Sequence, residues 1–119
     1  MSKPERSPIT THILDVHAGK PAAGVAVQLE REGPSGKWEK LAAGVTGPEG
    51  RLENLLPTGS QAQVGTYQLT FDTQAYFKKT GSPVFYPRVC IVFELQDPAQ
   101  HYHVPLLLSG HGYSTYRGT

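Results

Sequence analysis

Residues 101–109 read HYHVPLLLS. Every second residue is apolar, and the apolar positions are Tyr102, Val104, Leu106 and Leu108. A period of two is typical of a β-strand, whose successive side chains point to opposite sides of the sheet. The other side carries His101, His103, Pro105, Leu107 and Ser109. Because two imidazoles share a face with apolar residues, this face is predicted to line a pocket or a subunit interface.

The rest of the chain shows more segments of extended character, separated by turns rich in Gly and Pro. The predicted strands are residues 9–16, 25–31, 37–46, 51–55, 64–72, 86–96, 101–109 and 113–116. Residues 17–24 are predicted to be a connection. Residues 73–79 predict one short helix, with Thr73 as its cap, basic residues in its last turn and Gly81 beyond. This order of elements is typical of an all-β protein built as a β-sandwich.

Length and charge limit the possible partners. The chain has 119 residues, a common size for one domain, and its formal net charge is +1. No basic run stands out, so neither nucleic acid nor a membrane surface is indicated as a partner, and a small molecule or another subunit is expected. Residues 1–8 are predicted to be a disordered arm and residues 9–119 the single domain. We expect a cytoplasmic protein, with the peroxisome as the alternative compartment.

A single cysteine, Cys90, lies in the apolar run of residues 89–93. A lone cysteine excludes a disulfide within the chain, and the surrounding residues favour an inert buried thiol.

The last residues, 116–119, read Tyr-Arg-Gly-Thr and follow a β-compatible stretch directly. Chain ends are usually frayed and polar unless something holds them. An aromatic and cationic ending is therefore predicted to have a role. In the first predicted strand, His12 shares its face with Leu14, so the mixture seen around His103 recurs there.

Four short motifs carry a resemblance to a known family. They are TTHILD at residues 10–15, GRL at 50–52, YHVPLLLS at 102–109 and YRG at 116–118. In this order and spacing the chain resembles the 5-hydroxyisourate hydrolases of the transthyretin-related family. The resemblance implies the transthyretin-like (prealbumin) sandwich of two four-stranded sheets with one short helix. It also implies a homotetramer, a dimer of dimers with its sites in the channel between the dimers, and no metal or cofactor.

By the same resemblance, the catalytic residues are His12, Arg51 and His103, and the substrate-binding residues are Tyr116, Arg117, Gly118 and Thr119. The family normally ends in serine, so Thr119 keeps the hydroxyl but adds a methyl group. Transthyretin, the hormone carrier of this fold, lacks the two histidines and the terminal signature. Their presence here favours the enzyme over the carrier.

The implied reaction is hydrolysis of 5-hydroxyisourate, a purine-derived substrate, to 2-oxo-4-hydroxy-4-carboxy-5-ureidoimidazoline. Histidines suit it because they exchange protons near neutral pH. If the two imidazoles lie close together beside Arg51, the cationic surroundings should favour a neutral ring that can activate water. Which histidine is the base is left open. Arg117 is given equal weight as a substrate ligand and as a brace for the chain end.

Two other functions are kept as alternatives. The first is a carrier of the transthyretin type, which binds a small ligand without consuming it. The second is a metal-binding sandwich, in which His101 and His103 hold zinc with a third donor from His111 or His12. A lone histidine in a strand is more often structural or exposed than catalytic.

Overall fold

The structure is a computed structural model that describes residues 6–119. The first five residues of the predicted N-terminal arm lie outside this range. Ser7 and Pro8, the last residues of that arm, are buried. The carbonyl of Pro8 accepts a hydrogen bond of 2.8 Å from the backbone N–H of Tyr102. Ordered contacts with the sheet therefore begin just before the first strand.

The described residues form nine strands and one helix. In chain order they are β1 (Ile9–Asp15), β2 (Lys20–Pro21), β3 (Ala26–Glu32), β4 (Trp38–Val45), β5 (Arg51–Leu52), β6 (Gly65–Phe71), α1 (Thr73–Thr80), β7 (Val89–Leu95), β8 (Tyr102–Leu108) and β9 (Tyr113–Thr115). Every predicted strand is present. The short strand β2 falls inside the segment that was predicted to be a connection. The all-β sandwich with one short helix is confirmed.

The strands make two sheets. One has the order β2-β1-β8-β9, and the other has the order β4-β3-β6-β7. The first sheet contains a fifth strand, because β5 also pairs with β1. In this pairing Leu52 lies opposite Thr11, and Arg51 lies opposite His12. Strands β2 and β5 are only two residues long and pair with different parts of the longer strand β1. One sheet is thus four-stranded as predicted, and the other gains a short strand.

Both sheets bury the face that the alternation predicts. In β8 the residues Tyr102, Val104, Leu106 and Leu108 are buried, and they form one core with alternate residues of β3, β6 and β7. The largest fully buried side chains include Tyr67, Phe71, Phe77, Ile9 and Ile13. Removal of this apolar surface from water is the main force that holds the two sheets together.

The helix differs from its prediction at one end. Its N-cap is Asp72, whose carboxylate accepts a hydrogen bond of 3.1 Å from the N–H of Ala75, so the prediction of a Thr73 cap is wrong. Thr73 is buried instead, and its hydroxyl donates to the carbonyl of Tyr86 at 2.5 Å. The helix ends as predicted at Gly81, in the left-handed conformation. With eight residues it is too short to cross a membrane, and no other helix is found among residues 6–119.

Helix α1 is fixed to the first sheet by a buried polar pair. The hydroxyl of Tyr76 donates to the carboxylate of Asp15 at 2.8 Å. Burial, and then the carboxylate itself, raises the pKa of Tyr76 above its usual value, so the hydroxyl stays protonated and keeps donating.

Cys90 is exposed, so the prediction of a buried thiol is wrong. It alternates along β7 with Val89 and Ile91, which are buried in the core. The side chain of Cys90 must therefore point to the opposite side of the sheet. The hydrophobicity of its neighbours suggested burial, but the period of two decides the outcome.

Gly50 places β5 against β1. It precedes Arg51 at φ +76°, and its carbonyl accepts a hydrogen bond of 2.8 Å from the N–H of Ile13. A Cβ atom at this position would lie 2.3 Å from the carbonyl oxygen of Ile13, which is a backbone atom. Only glycine therefore allows the approach that brings Arg51 beside the first strand.

Gly50→Ala is expected to lower the free energy of unfolding more than Gly36→Ala does. Both glycines have a positive φ, which costs an alanine about 1–2 kcal/mol, but a Cβ at Gly36 meets nothing within 4 Å. The extra loss at Gly50 then reports the backbone collision. Urea unfolding of the two variants measures it. Equal losses would show that the approach of β5 does not require a glycine.

Candidate active site

The three residues predicted to be catalytic come together on the outer face of the first sheet. His12 in β1 is the cross-strand partner of Arg51 in β5. Along the other edge of β1, Thr10 is paired with His103 in the parallel strand β8. Directly paired residues on one face of an antiparallel pair have their Cβ atoms about 4.5–5.5 Å apart, so the side chains of His12 and Arg51 are neighbours. Both are close enough to His103 to lower its pKa. Three separate stretches of sequence thus supply one cluster.

His12 is half-buried and is oriented by the turn before β5. Its Nε2 lies 2.9 Å from the carbonyl oxygen of Glu49. A carbonyl only accepts hydrogen bonds, so Nε2 must carry the proton of this bond. In the neutral ring Nδ1 is then free to accept a proton or a hydrogen bond.

His103 is half-buried, and its Nδ1 lies 2.8 Å from the hydroxyl oxygen of Thr10. The pKa of His103 is lowered, and burial is the largest cause. The neighbouring His101, Arg51 and His12 lower the pKa further, because each opposes a second positive charge, while Glu53 raises it. The imidazole of His103 is therefore neutral near pH 7, which is the form that can accept a proton.

His101 and Thr10 complete the cluster, and the sequence assigned neither of them to catalysis. The Nδ1 of His101 lies 2.8 Å from the carbonyl of Ser7, and its Nε2 lies 3.0 Å from the hydroxyl of Thr10. Its ring stacks on that of His103 with 6.4 Å between centroids. Burial and Arg6 lower the pKa of His101, and this outweighs the Ser7 carbonyl and Glu53, which raise it. The His-x-His spacing of residues 101–103 could have indicated a role for His101, whereas no local pattern in the sequence distinguishes Thr10.

The chain end reaches His103 through Gly118. Its N–H donates to the carbonyl of His103 at 2.8 Å. A Cβ at this position would lie 2.6 Å from the Cδ2 atom of the imidazole, so the ring and the chain end can touch only at a glycine. Thr119 follows, exposed to solvent, and lines a groove of about 380 Å³ together with His101, Gly118 and Arg117.

Tyr116 and Arg117 occupy opposite sides of the chain. The register Leu106↔Thr115 and His103↔Gly118 puts Tyr116 level with Pro105, at a position on the outer face. The guanidinium of Arg117 lies 4.4 Å from the ring centroid of Tyr102, which belongs to the core face, and it donates to the Gln100 side chain at 2.9 Å. These contacts favour the bracing role for Arg117.

The zinc alternative finds no support in this geometry. Between residues 6 and 119 no group of three or more His, Cys, Asp or Glu side chains is arranged to hold a metal ion. His101 and His103 instead share the hydroxyl of Thr10.

A separate concavity of about 1030 Å³ lies on the second sheet, lined by Ala26, Val45, Thr70, Arg88 and their neighbours, and it contains no imidazole.

Comparison with known proteins gives concordant results. The model of the HIUase/Transthyretin family matches residues 9–118. The chain is 47% identical to 5-hydroxyisourate hydrolase of Mus musculus over 97% of this chain and 98% of that protein. It is 46% identical to the enzyme of the same name from Caulobacter vibrioides, over 95% and 99% of the two chains.

Solved structures show the same fold. Sea bream transthyretin in complex with thyroxine superposes with a TM-score of 0.87 at 34% identity, over 95% of this chain and 96% of that chain. Klebsiella pneumoniae 5-hydroxyisourate hydrolase superposes with a TM-score of 0.78 at 39% identity, over 95% and 100%. The backbone thus resembles both proteins, and a choice between their activities has to come from the side chains.

Arg51→Gln is expected to raise the pKa of His103 because it removes a cation that opposes protonation of the ring. The rise should shrink as salt is added, since charges at the surface are screened. An NMR titration of the imidazole resonances at low ionic strength measures it. Arg88→Gln, which removes an exposed arginine on the second sheet, is the control and should leave His103 unchanged. An unmoved or lowered midpoint in Arg51→Gln would contradict the electrostatic account.

Proposed function

This chain belongs to the HIUase/transthyretin family and hydrolyses 5-hydroxyisourate in urate degradation, and we propose that His12, Arg51 and His103 carry that reaction. The observation behind the assignment is the cluster itself, which three strands build on one face of the first sheet. Two imidazoles and a guanidinium are suited to acid–base chemistry on a polar ring, and a purely apolar hormone pocket would not need them.

The reaction opens the six-membered ring at an acyl carbon. A neutral imidazole takes a proton from water as the oxygen of that water attacks the carbonyl carbon, and the carbonyl oxygen gains the negative charge. The C–N bond then breaks, and the proton held by imidazolium passes to the departing nitrogen. His103 meets the first requirement because its lowered pKa keeps the ring neutral. No covalent bond to the protein is needed.

Arg51 supplies the fixed positive charge. Its guanidinium offers five N–H donors in a planar fork, which match the adjacent oxygens of a purine-derived ring. From its position opposite His12 it binds the substrate and stabilises the oxyanion that forms on the attacked carbonyl. His12, held by the carbonyl of Glu49, presents Nδ1 to the same space.

The chain end forms the remaining wall. Gly118 lies against the ring of His103, and Tyr116 occupies a position on the same face. The hydroxyl of Thr119 then orients the substrate beside them. Arg117 contributes by holding this segment on Tyr102 and Gln100, so that its action on the substrate is indirect.

Assembly as a homotetramer, with the sites in the channel between two dimers, is the second part of the proposal. Strands β7 and β9 each end a sheet and leave one edge unpaired within residues 6–119. A groove of about 240 Å³ between them is lined by Val92, Phe93 and Tyr116. Free edges beside exposed apolar side chains suit pairing with a second copy of the chain. The half-buried outer face of the first sheet would then line the channel.

The assembly is tested by light scattering over a range of protein concentrations. We expect a mass four times the 13.0 kDa of one chain, falling to that of a dimer on strong dilution. A monomer at every concentration would contradict this part of the proposal and leave the activity open to a site within one chain.

The activity is tested on freshly generated 5-hydroxyisourate. The wild-type protein should accelerate its decay, and His103→Ala should reduce kcat by about 10²–10⁴-fold, the usual contribution of a positioned base. Arg51→Gln should cost about 10²–10³-fold, as for the loss of an oxyanion donor. His17→Ala changes an exposed loop histidine and is the matched control. A chelator should have no effect.

A rate equal to that of the uncatalysed decay would rule out the hydrolase. A carrier would instead bind a thyroxine-like ligand in a calorimeter while leaving 5-hydroxyisourate untouched.

A further inference from the structure

We propose that Thr10 and His101 are positioning residues that fix the tautomer of His103. Together with the carbonyl of Ser7, Thr10 and His101 keep the imidazole of His103 protonated at Nδ1. Its Nε2 is then free to act as the base. The catalytic part of this inference rests on the proposed function, whereas the hydrogen-bond arrangement can be tested without it.

Four groups form a continuous chain of hydrogen bonds. The carbonyl oxygen of Ser7 lies 2.8 Å from Nδ1 of His101, and Nε2 of the same ring lies 3.0 Å from the hydroxyl oxygen of Thr10. That oxygen lies 2.8 Å from Nδ1 of His103. The three bonds join residues more than 90 positions apart in the sequence.

The direction of every bond follows from its first member. A carbonyl cannot donate, so Nδ1 of His101 carries the proton, and in the neutral ring Nε2 is an acceptor. The hydroxyl of Thr10 has one proton and must give it to His101. Its oxygen can then only accept from His103, which is therefore protonated at Nδ1. In neutral His103 the free lone pair falls on Nε2.

Burial protects this arrangement from water. Ser7 is fully buried and Thr10 is only 4% exposed, so the carbonyl and the hydroxyl have few other partners. Burial lowers the pKa of His101, assisted by Arg6, and this keeps the ring in the neutral form that sets the direction. Reversing one bond would leave a buried donor or acceptor unpaired, which costs about 1–3 kcal/mol.

The free Nε2 is placed where the reaction needs it. It is bonded to Cδ2, the ring atom that Gly118 approaches, so it lies on the side of the ring that faces the chain end. The other charged groups that act on His103 are His12, Arg51 and Glu53. The first two are members of the proposed site, so the substrate, the guanidinium and the lone pair meet in one place.

Acid reverses the relay. When His101 takes up a proton, its Nε2 becomes a donor, and the hydroxyl of Thr10 must turn to donate to Nδ1 of His103. The proton of His103 then moves to Nε2, and the base is lost. Two charged groups act on His101: Arg6 lowers its pKa and Glu53 raises it. The ring of His103 stacks beside it. Activity should therefore fall as the pH drops through the lowered pKa values of both imidazoles.

Histidine ¹⁵N NMR tests the tautomer directly, because protonated and unprotonated ring nitrogens have well-separated shifts. In the wild type at pH 7.5 or above (about one unit above the usual histidine pKa), His103 should be protonated at Nδ1. Thr10→Val and His101→Phe each break the relay and should shift His103 toward protonation at Nε2. Thr10→Ser keeps a hydroxyl and should retain the wild-type tautomer. A wild-type His103 protonated at Nε2, or an Nδ1–H tautomer that survives both disruptive variants, would overturn the proposal.

Kinetics separates positioning from folding. Thr10→Val should lower kcat by roughly 10–100-fold, a part of what a base contributes, with little change in KM, and Thr10→Ser should recover most of the loss. Thr11→Val is the matched control, because it removes a buried hydroxyl that donates to the carbonyl of Val104 and touches no imidazole. Equal losses of kcat in both valine variants would overturn the positioning role. If the wild type shows the predicted tautomers without hydrolysing the substrate, the relay stands and the proposed function fails.

Discussion

The structure depends on the parallel pairing of β1 with β8. Seven residue pairs, from Ile9↔Tyr102 to Asp15↔Leu108, join a strand near the start of the chain to one near its end. The side chains on one face of this pair form the middle of the core, and those on the other face belong to the proposed site. A shift of the register by one residue would exchange the two faces. The burial of Ile13 and Leu106 in the core therefore also fixes the positions of His12 and His103.

The same alternation separates the proposed site from structural contacts along the chain end. Gly118 lies against His103 on the outer face, while its neighbour Arg117 packs over Tyr102. The arginine therefore braces a segment whose next residue must come so close to an imidazole that a methyl group would collide with it. Electrostatics acts in the same sense, because burial and neighbouring cations keep His103 neutral and able to accept a proton.

Local pattern predicted eight of the nine strands, the faces of β8 and the C-terminal end of the helix, because these depend on periods of two and on residues close in sequence. It missed the two-residue strand β2 and the Asp72 cap. The resemblance to a family supplied His12, Arg51 and His103. What the sequence could not show were contacts set by register between distant strands. Thr10 meets His103 across 93 positions, and β5 is too short to carry a period that would have placed Arg51 beside His12. The apolar neighbours of Cys90 suggest burial, whereas alternation with Val89 and Ile91 along β7 places it on the exposed face.

In the proposed function, the outer face of β5, β1 and β8 binds a purine-derived ring between His103 and Arg51. A crystal structure with a stable purine analogue tests it most directly. The analogue is expected within hydrogen-bond distance of Nε2 of His103 and of the Arg51 guanidinium, with Thr119 beside it. An analogue bound instead in the concavity of the second sheet near Thr70 and Arg88, or in the groove beside Val92, would contradict it.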